Sequence, residues 1–127
     1  MPSPITQFRP LATEEAVLTK ATVRAALKLG LKNRTLATVL GLSEATISRM
    51  MRNAFVLSRG EKAFELGVLF VRLFRSLDAI AGGDEAVAQQ WLNNKNTALR
   101  DAPINLIQTV GGLVHAVNYL DSRRARL

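Results

Sequence analysis

The chain has no cysteine, and only one histidine, one tryptophan and one tyrosine in 127 residues. Without thiols there can be no disulfide and no thiolate metal ligand, which fits a reducing compartment. His115 has neither a cysteine partner nor a spaced pair of acids, so no metal site is expected. Lying among Leu113, Val114, Ala116 and Val117, it reads as a satisfied structural histidine. No glycine motif that cradles phosphate is present; Gly82-Gly83 and Gly111-Gly112 read as helix stops. With no catalytic constellation and no cofactor motif, no enzyme is expected. Long hydrophobic runs are also missing. The most apolar stretch, Leu66 to Phe74, already contains Arg72, and no early apolar run follows Met1, so the expectation is a soluble cytoplasmic protein with no membrane partner.

Hydrophobic residues make up 48% of the chain, mostly Ala, Leu and Val, while aromatics supply 6%. That is enough to build a core, and the mix favours helix over sheet. The length suits about one domain with a modest second lobe. Charge is unevenly placed. Residues 1–60 hold nine Lys/Arg against three acids, a net +6, whereas residues 61–127 hold eight against seven, a net +1. A basic excess confined to one half points to a polyanion partner there.

Three of the four prolines fall in residues 1–12, which read as an irregular arm. Thr13 can cap a helix from Glu14 to Leu29, with two acids in its first turn, Lys28 in its last and Gly30 as its stop. Two short helices, Asn33 to Leu40 and Glu44 to Asn53, flank Gly41-Leu42-Ser43. Ser58-Arg59-Gly60-Glu61 matches a capping box and is expected to open the longest helix, which ends at Gly82-Gly83. Asp84 caps a helix from Glu85 to Leu92, and the polar loop Asn93 to Asn96 follows. Asp101 and Pro103 start another helix, and Gly111-Gly112 introduce the last, which reaches about Leu120. No strand signal emerges. The predicted fold is all-α, divided into a helix-turn-helix domain (1–57) and a second helical lobe (58–127).

The segment Thr35 to Arg52 carries the strongest functional signal. Two short helices that cross steeply need a small residue at the crossing, where Ala37 stands. The turn four residues later needs positive φ, where Gly41 stands. Leu36, Leu40, Leu42, Ile47 and Met50 become the inward positions, and Ser43 caps the second helix. Ser43, Glu44, Ala45, Thr46, Ser48, Arg49 and Arg52 then point outward as the face of a recognition helix. Arg49 suits a bidentate contact to guanine, while Ser48 and Ala45 suit contact with bases or a thymine methyl. Arg34 and Thr35 suit phosphate contact, which positions without specifying. Glu44 would be repelled by phosphate unless it accepts from cytosine. The pattern resembles phage-repressor-like helix-turn-helix proteins of the Xre class and implies double-stranded operator DNA as a partner.

The long helix is apolar nearly all round. Leu66, Leu69, Leu73, Leu77 and Ile80 form a stripe that Phe64, Phe70, Val71 and Phe74 widen. Such a helix needs cover on most sides. A second copy of the chain is the expected source, which makes Leu66, Leu69, Phe70, Leu73 and Leu77 a dimer core and the protein a homodimer.

Trp91-Leu92, Asn96, Leu99, Pro103 and Gly111-Gly112, after that long helix, resemble the toxin-binding domain of the Xre/MbcA/ParS antitoxins over roughly residues 60–120. The family usually has proline where this chain has Lys95, and often glycine where it has Arg100. The resemblance implies a two-part antitoxin that needs no cofactor. Its C-terminal lobe would bind a RES-domain toxin, an enzyme that consumes NAD, and its N-terminal half would bind the promoter of its own operon. Trp91, Asn96 and Leu99, with Asp121, Ser122, Arg123 and Arg124 of the tail, are the candidate toxin contacts. On the residues alone, Trp91 reads equally as a core anchor. The tail reads equally as a frayed basic end or as charges reaching into a cleft for an anionic dinucleotide. A stand-alone dimeric repressor without a toxin partner is the alternative reading.

Overall fold

A computed structural model describes residues 13–126; the arm expected at residues 1–12, together with Leu127, lies outside the described residues. The described residues form α1 (Glu14–Leu29), α2 (Asn33–Leu40), α3 (Glu44–Met51), α4 (Lys62–Ile80), α5 (Glu85–Asn93), α6 (Pro103–Leu106) and α7 (Val110–Arg124). Among them there is no strand, only an isolated bridge between Asn96 and Asp101. The architecture is all-α: a helix-turn-helix segment followed by a C-terminal set of helices.

α1 begins and ends where its end signals place it. The Thr13 hydroxyl accepts from the Ala16 N–H at 3.0 Å, and Gly30 closes the helix in the left-handed conformation. Its buried face carries two threonines, an unusual choice for a core. Their hydroxyls are satisfied within the helix: Thr19 donates to the Glu15 carbonyl at 2.7 Å and Thr22 to the Leu18 carbonyl at 2.8 Å. Thr19 also accepts from the Leu57 N–H at 2.9 Å, which ties the end of the helix-turn-helix segment to α1.

α4 is the central element. It packs against α1 and α2 on one side and α7 on the other, so its apolar stripe is covered by its own chain. Leu66, Phe70, Leu73 and Leu77 are buried within one protomer, and Leu69 is half-buried against the same core. The expectation of a dimer core is therefore corrected for Leu66, Phe70, Leu73 and Leu77, whose side chains are spent inside the monomer. A sequence pattern shows that a helix needs cover but not which helix supplies it. The core is continuous from Ala25 to Leu120, so the division at 57/58 marks a change of sequence pattern and not a gap in packing.

Several helix boundaries differ from expectation, among them the end of α3, which stops at Met51 and not at Asn53. Ser58 does not cap α4; the N-cap is Glu61, which makes no side-chain cap bond. Residues 58–61 instead form a turn in which the Glu61 N–H reaches the Ser58 carbonyl and Gly60 takes φ +92°. This turn is docked on the start of α1, where the Arg59 N–H donates to Glu15 Oε2 at 2.7 Å and its guanidinium meets Glu14 at 2.6 Å. At the other end, α7 starts from Thr109, with Gly111 and Gly112 already in its first turn. It runs through Asp121, Ser122 and Arg123 to Arg124, so the tail expected beyond Leu120 is largely helix.

Candidate functional site

The helix-turn-helix is built as its residues require. Ala37 is buried at the crossing of α2 and α3, and Gly41, at φ +69°, turns the chain while the Leu42 N–H bonds back to the Ala37 carbonyl at 2.9 Å. Leu36, Leu40, Ile47 and Met50 are buried, and Leu42 is half-buried against them. Ser43 caps α3, its hydroxyl accepting from the Thr46 N–H at 3.1 Å. Ser43, Glu44, Ala45, Arg49 and Arg52 are left exposed, and Thr46 and Ser48 partly so.

These outward side chains are organised among themselves. Ser43 Oγ and Thr46 Oγ1 are 2.9 Å apart, and Arg49 Nη2 donates to Thr46 Oγ1 at 3.2 Å. The Arg49 guanidinium lies 5.9 Å from the centre of the Phe55 ring. Arg52 Nη1 donates to Ser48 Oγ at 3.1 Å. Glu44, the misfit in the sequence, faces Arg34 of α2, with Nε 3.7 Å from Oε1. Both groups are exposed, so the pair contributes at most about 1 kcal/mol, and salt screens it. It nevertheless offsets the negative charge that would oppose a phosphate backbone. Thr35 is half-buried in the first turn of α2, whose N-cap, Lys32, supplies no side-chain cap.

The C-terminal candidates separate into different roles. Leu99 is buried, so its side chain is a core group and not a contact surface, which corrects that assignment. Asn96 is occupied by its own loop: Oδ1 accepts from the Leu99 N–H at 3.0 Å, and its backbone pairs with Asp101 and Arg100. Arg100 holds φ +67°, a conformation that a glycine adopts freely, at the position where the resembling antitoxins often have glycine. Asp101 binds the Asn105 side chain at 3.0 Å and the Ala102 N–H at 2.7 Å, and these bonds hold its carboxyl below the usual carboxylate range.

Trp91 is half-buried on α5 and stacks on Tyr119 of α7, with ring centroids 6.4 Å apart. Arg123 also meets Tyr119, its guanidinium 5.7 Å from the ring centre and Nη1 donating to the phenol oxygen at 2.9 Å. Trp91, Tyr119 and Arg123 thus form one partly exposed ladder across α5 and α7. Tyr119 was not visible as a member, because nothing in its local sequence marks it as Trp91's neighbour. Arg124 points elsewhere, to a groove between α1 and α4 that it shares with Val17, Val68, Arg72 and Arg75. Ser122 is exposed and accepts from Arg126 at 3.4 Å. Asp121 is no free tail charge. It accepts from the buried Ser76 hydroxyl at 2.7 Å, and Arg72 lies 2.5 Å from its other oxygen. His115, expected to be a satisfied structural histidine in an apolar stretch, is exposed on α7.

Among the described residues no group of three or more His, Cys, Asp or Glu is gathered to hold a metal, and no helix is long and apolar enough to cross a membrane. A family model described as the antitoxin Xre-like helix-turn-helix domain matches residues 9–72. A second, described as the antitoxin Xre/MbcA/ParS C-terminal toxin-binding domain, matches residues 76–126. A search of curated proteins finds no match.

Proposed function

The chain belongs to the Xre-like antitoxins, and from that premise we propose that it neutralises a RES-domain toxin, an enzyme that consumes NAD, and represses its own operon. The observation that carries this reading is the presence of two separate exposed surfaces on one continuous core. One is the outward face of α3, and the other is the Trp91–Tyr119–Arg123 ladder on α5 and α7. The first is polar, cationic and carried by a helix of suitable shape for the major groove. The second joins an aromatic pair to an arginine, the composition that tends to dominate protein interfaces. The toxin contacts are Trp91, Tyr119 and Arg123, with Ser122 and Arg126 able to extend the surface into the NAD cleft, while Arg124 lies apart in the groove between α1 and α4. Two copies pairing on DNA half-sites would use exposed residues such as Val68, because Leu66, Phe70, Leu73 and Leu77 are already buried in each chain.

On the DNA side, Arg49→Ala is expected to cost roughly 1–3 kcal/mol on operator DNA and to flatten preference at one base position. Arg34→Ala is expected to weaken binding to all sequences alike and to lower the salt dependence by about one ion. Competition binding of operator and random duplexes at several salt concentrations separates the two. Equal losses for Arg49→Ala on both duplexes would remove the base-reading role.

A further inference from the structure

Arg49 is the one recognition-helix arginine whose guanidinium lies over an aromatic ring, among the described residues, and the ring reaches it by a defined route. α3 does not run on to Asn53 as the sequence suggests; it ends at Met51. Asn53 then takes the left-handed conformation at φ +63°, its N–H bonding to the Met50 carbonyl at 3.0 Å and the Ala54 N–H to the Arg49 carbonyl at 2.7 Å. This is the helix-ending motif usually built on glycine, made here with asparagine, which tolerates the same region. It folds the chain back along α3, so that Phe55 comes to rest beside Arg49, half-buried against the core.

Two neighbours therefore fix where the Arg49 guanidinium points. The Phe55 ring supports it at 5.9 Å, and the Thr46 hydroxyl, itself held by the capping Ser43, takes one N–H of Nη2. Four N–H groups remain, and the planar fork needs only two of them for guanine O6 and N7. Arg52 has a hydroxyl partner in Ser48 but, among the described residues, no such ring, and Arg34 faces Glu44. An arginine set before contact loses less side-chain freedom on binding than one that must be ordered by the DNA, and a bidentate contact depends on direction more than a phosphate contact does.

We infer that Phe55 is a specificity-determining positioning residue: by holding the Arg49 guanidinium it sets the base preference of α3 without itself touching DNA. The inference rests on the reading of α3 as a DNA-recognition helix, and its test is built to fail separately from that reading. Full-length protein is used to select duplexes from a randomised pool, and the selected duplex is then competed against random DNA. The wild type is compared with Phe55→Leu, Phe55→Tyr, Arg49→Ala and the Phe55→Leu/Arg49→Ala pair, each verified as folded by its melting curve. Phe55→Leu keeps an apolar side chain against the core but removes the ring. It is expected to lower discrimination at the single position read by Arg49 by about fivefold or more, the lower end of what one bidentate pair supplies. Binding to random DNA should stay within about twofold. Phe55→Tyr restores the preference, and Phe55→Leu adds no further loss to Arg49→Ala. If Phe55→Leu selects the same sequences as the wild type with undiminished preference, the inference is overturned and α3 remains a reader. The same holds if it adds its full loss on top of Arg49→Ala. A wild type that selects no sequence at all overturns both.

Discussion

Gly112→Ala is expected to destabilise the protein by about 2–3 kcal/mol, while Gly111→Ala beside it is neutral or stabilising by up to about 1 kcal/mol. Both glycines lie in the first turn of α7, and neither takes positive φ, so the difference is purely one of space. A methyl group on Gly112 would collide with the carbonyl oxygen of Leu106, with that residue's carbonyl carbon at 2.7 Å and Thr109 Oγ1 at 2.8 Å. The first two are backbone atoms of the α6–α7 turn. They cannot swing aside as a side chain would, and the third is the hydroxyl that caps α7, accepting from Gly112 itself at 3.0 Å. Relief of the clash must move α7 away from α6. A methyl on Gly111 meets nothing within 4 Å and only improves helix propensity. Thermal unfolding followed by circular dichroism checks the pair. Gly112→Ala is expected to lower Tm by roughly 10 °C and Gly111→Ala to leave it unchanged or raise it. Similar melting of the two variants would contradict the packing described at this turn.

The second large effect is expected at Asp121. Ser76 is fully buried on α4, and among the described residues the side-chain bond of its hydroxyl runs to Asp121, across 45 residues of sequence. Asp121→Ala leaves that hydroxyl in the core without a partner and removes the ion pair with Arg72. The loss is about 2 kcal/mol, most of it from the stranded serine, because Arg72 is largely exposed and its pairing is screened. Ser76→Ala/Asp121→Ala removes both ends of the bond and is expected to recover part of the loss, giving a coupling of about 1 kcal/mol in a double-mutant cycle measured by urea unfolding. Additive behaviour, or an Asp121→Ala variant as stable as the parent, would contradict the assignment. For function this means that cutting the chain after Leu120 does more than remove loose charge. A loss of toxin inhibition in such a truncation is ambiguous. Arg123→Ala/Arg124→Ala/Arg126→Ala, which spares Asp121, isolates the contribution of the basic end.

The parts of this molecule that were legible in the sequence are those governed by neighbours in the chain. Thr13, Ser43 and Asp84 each cap the helix they precede, and Gly30, Gly41 and Gly82 take the left-handed conformation at helix ends. The inward positions of the helix-turn-helix followed from a period of 3.6 residues. Errors arose where a local pattern had two readings. Ser58 and Glu61 have capping-box spacing, but Gly60 between them favours a turn, and the decision is made by Glu14 and Glu15 of α1, which draw Arg59 in. The remainder depended on residues far apart in the chain. Partners such as Ser76 and Asp121, or Trp91 and Tyr119, leave no mark in a local window, and the greasy stripe of α4 did not say that α1, α2 and α7 would cover it. Phe55 escaped notice because its role depends on the turn at Asn53, which reverses the chain onto α3.

Under the proposed function, this chain protects cells from a RES-domain toxin through its C-terminal helices, independently of its grip on DNA. The most direct measurement is the intracellular NAD level, with growth alongside, in cells expressing the proposed partner, a RES-domain toxin encoded beside this chain, together with either the wild-type chain or Arg49→Ala. Both proteins are expected to preserve NAD and restore growth, although only the wild type keeps its preference for the operator. NAD that falls as fast with the folded, wild-type chain as without it would contradict the claim and leave a DNA-binding repressor with no such toxin partner.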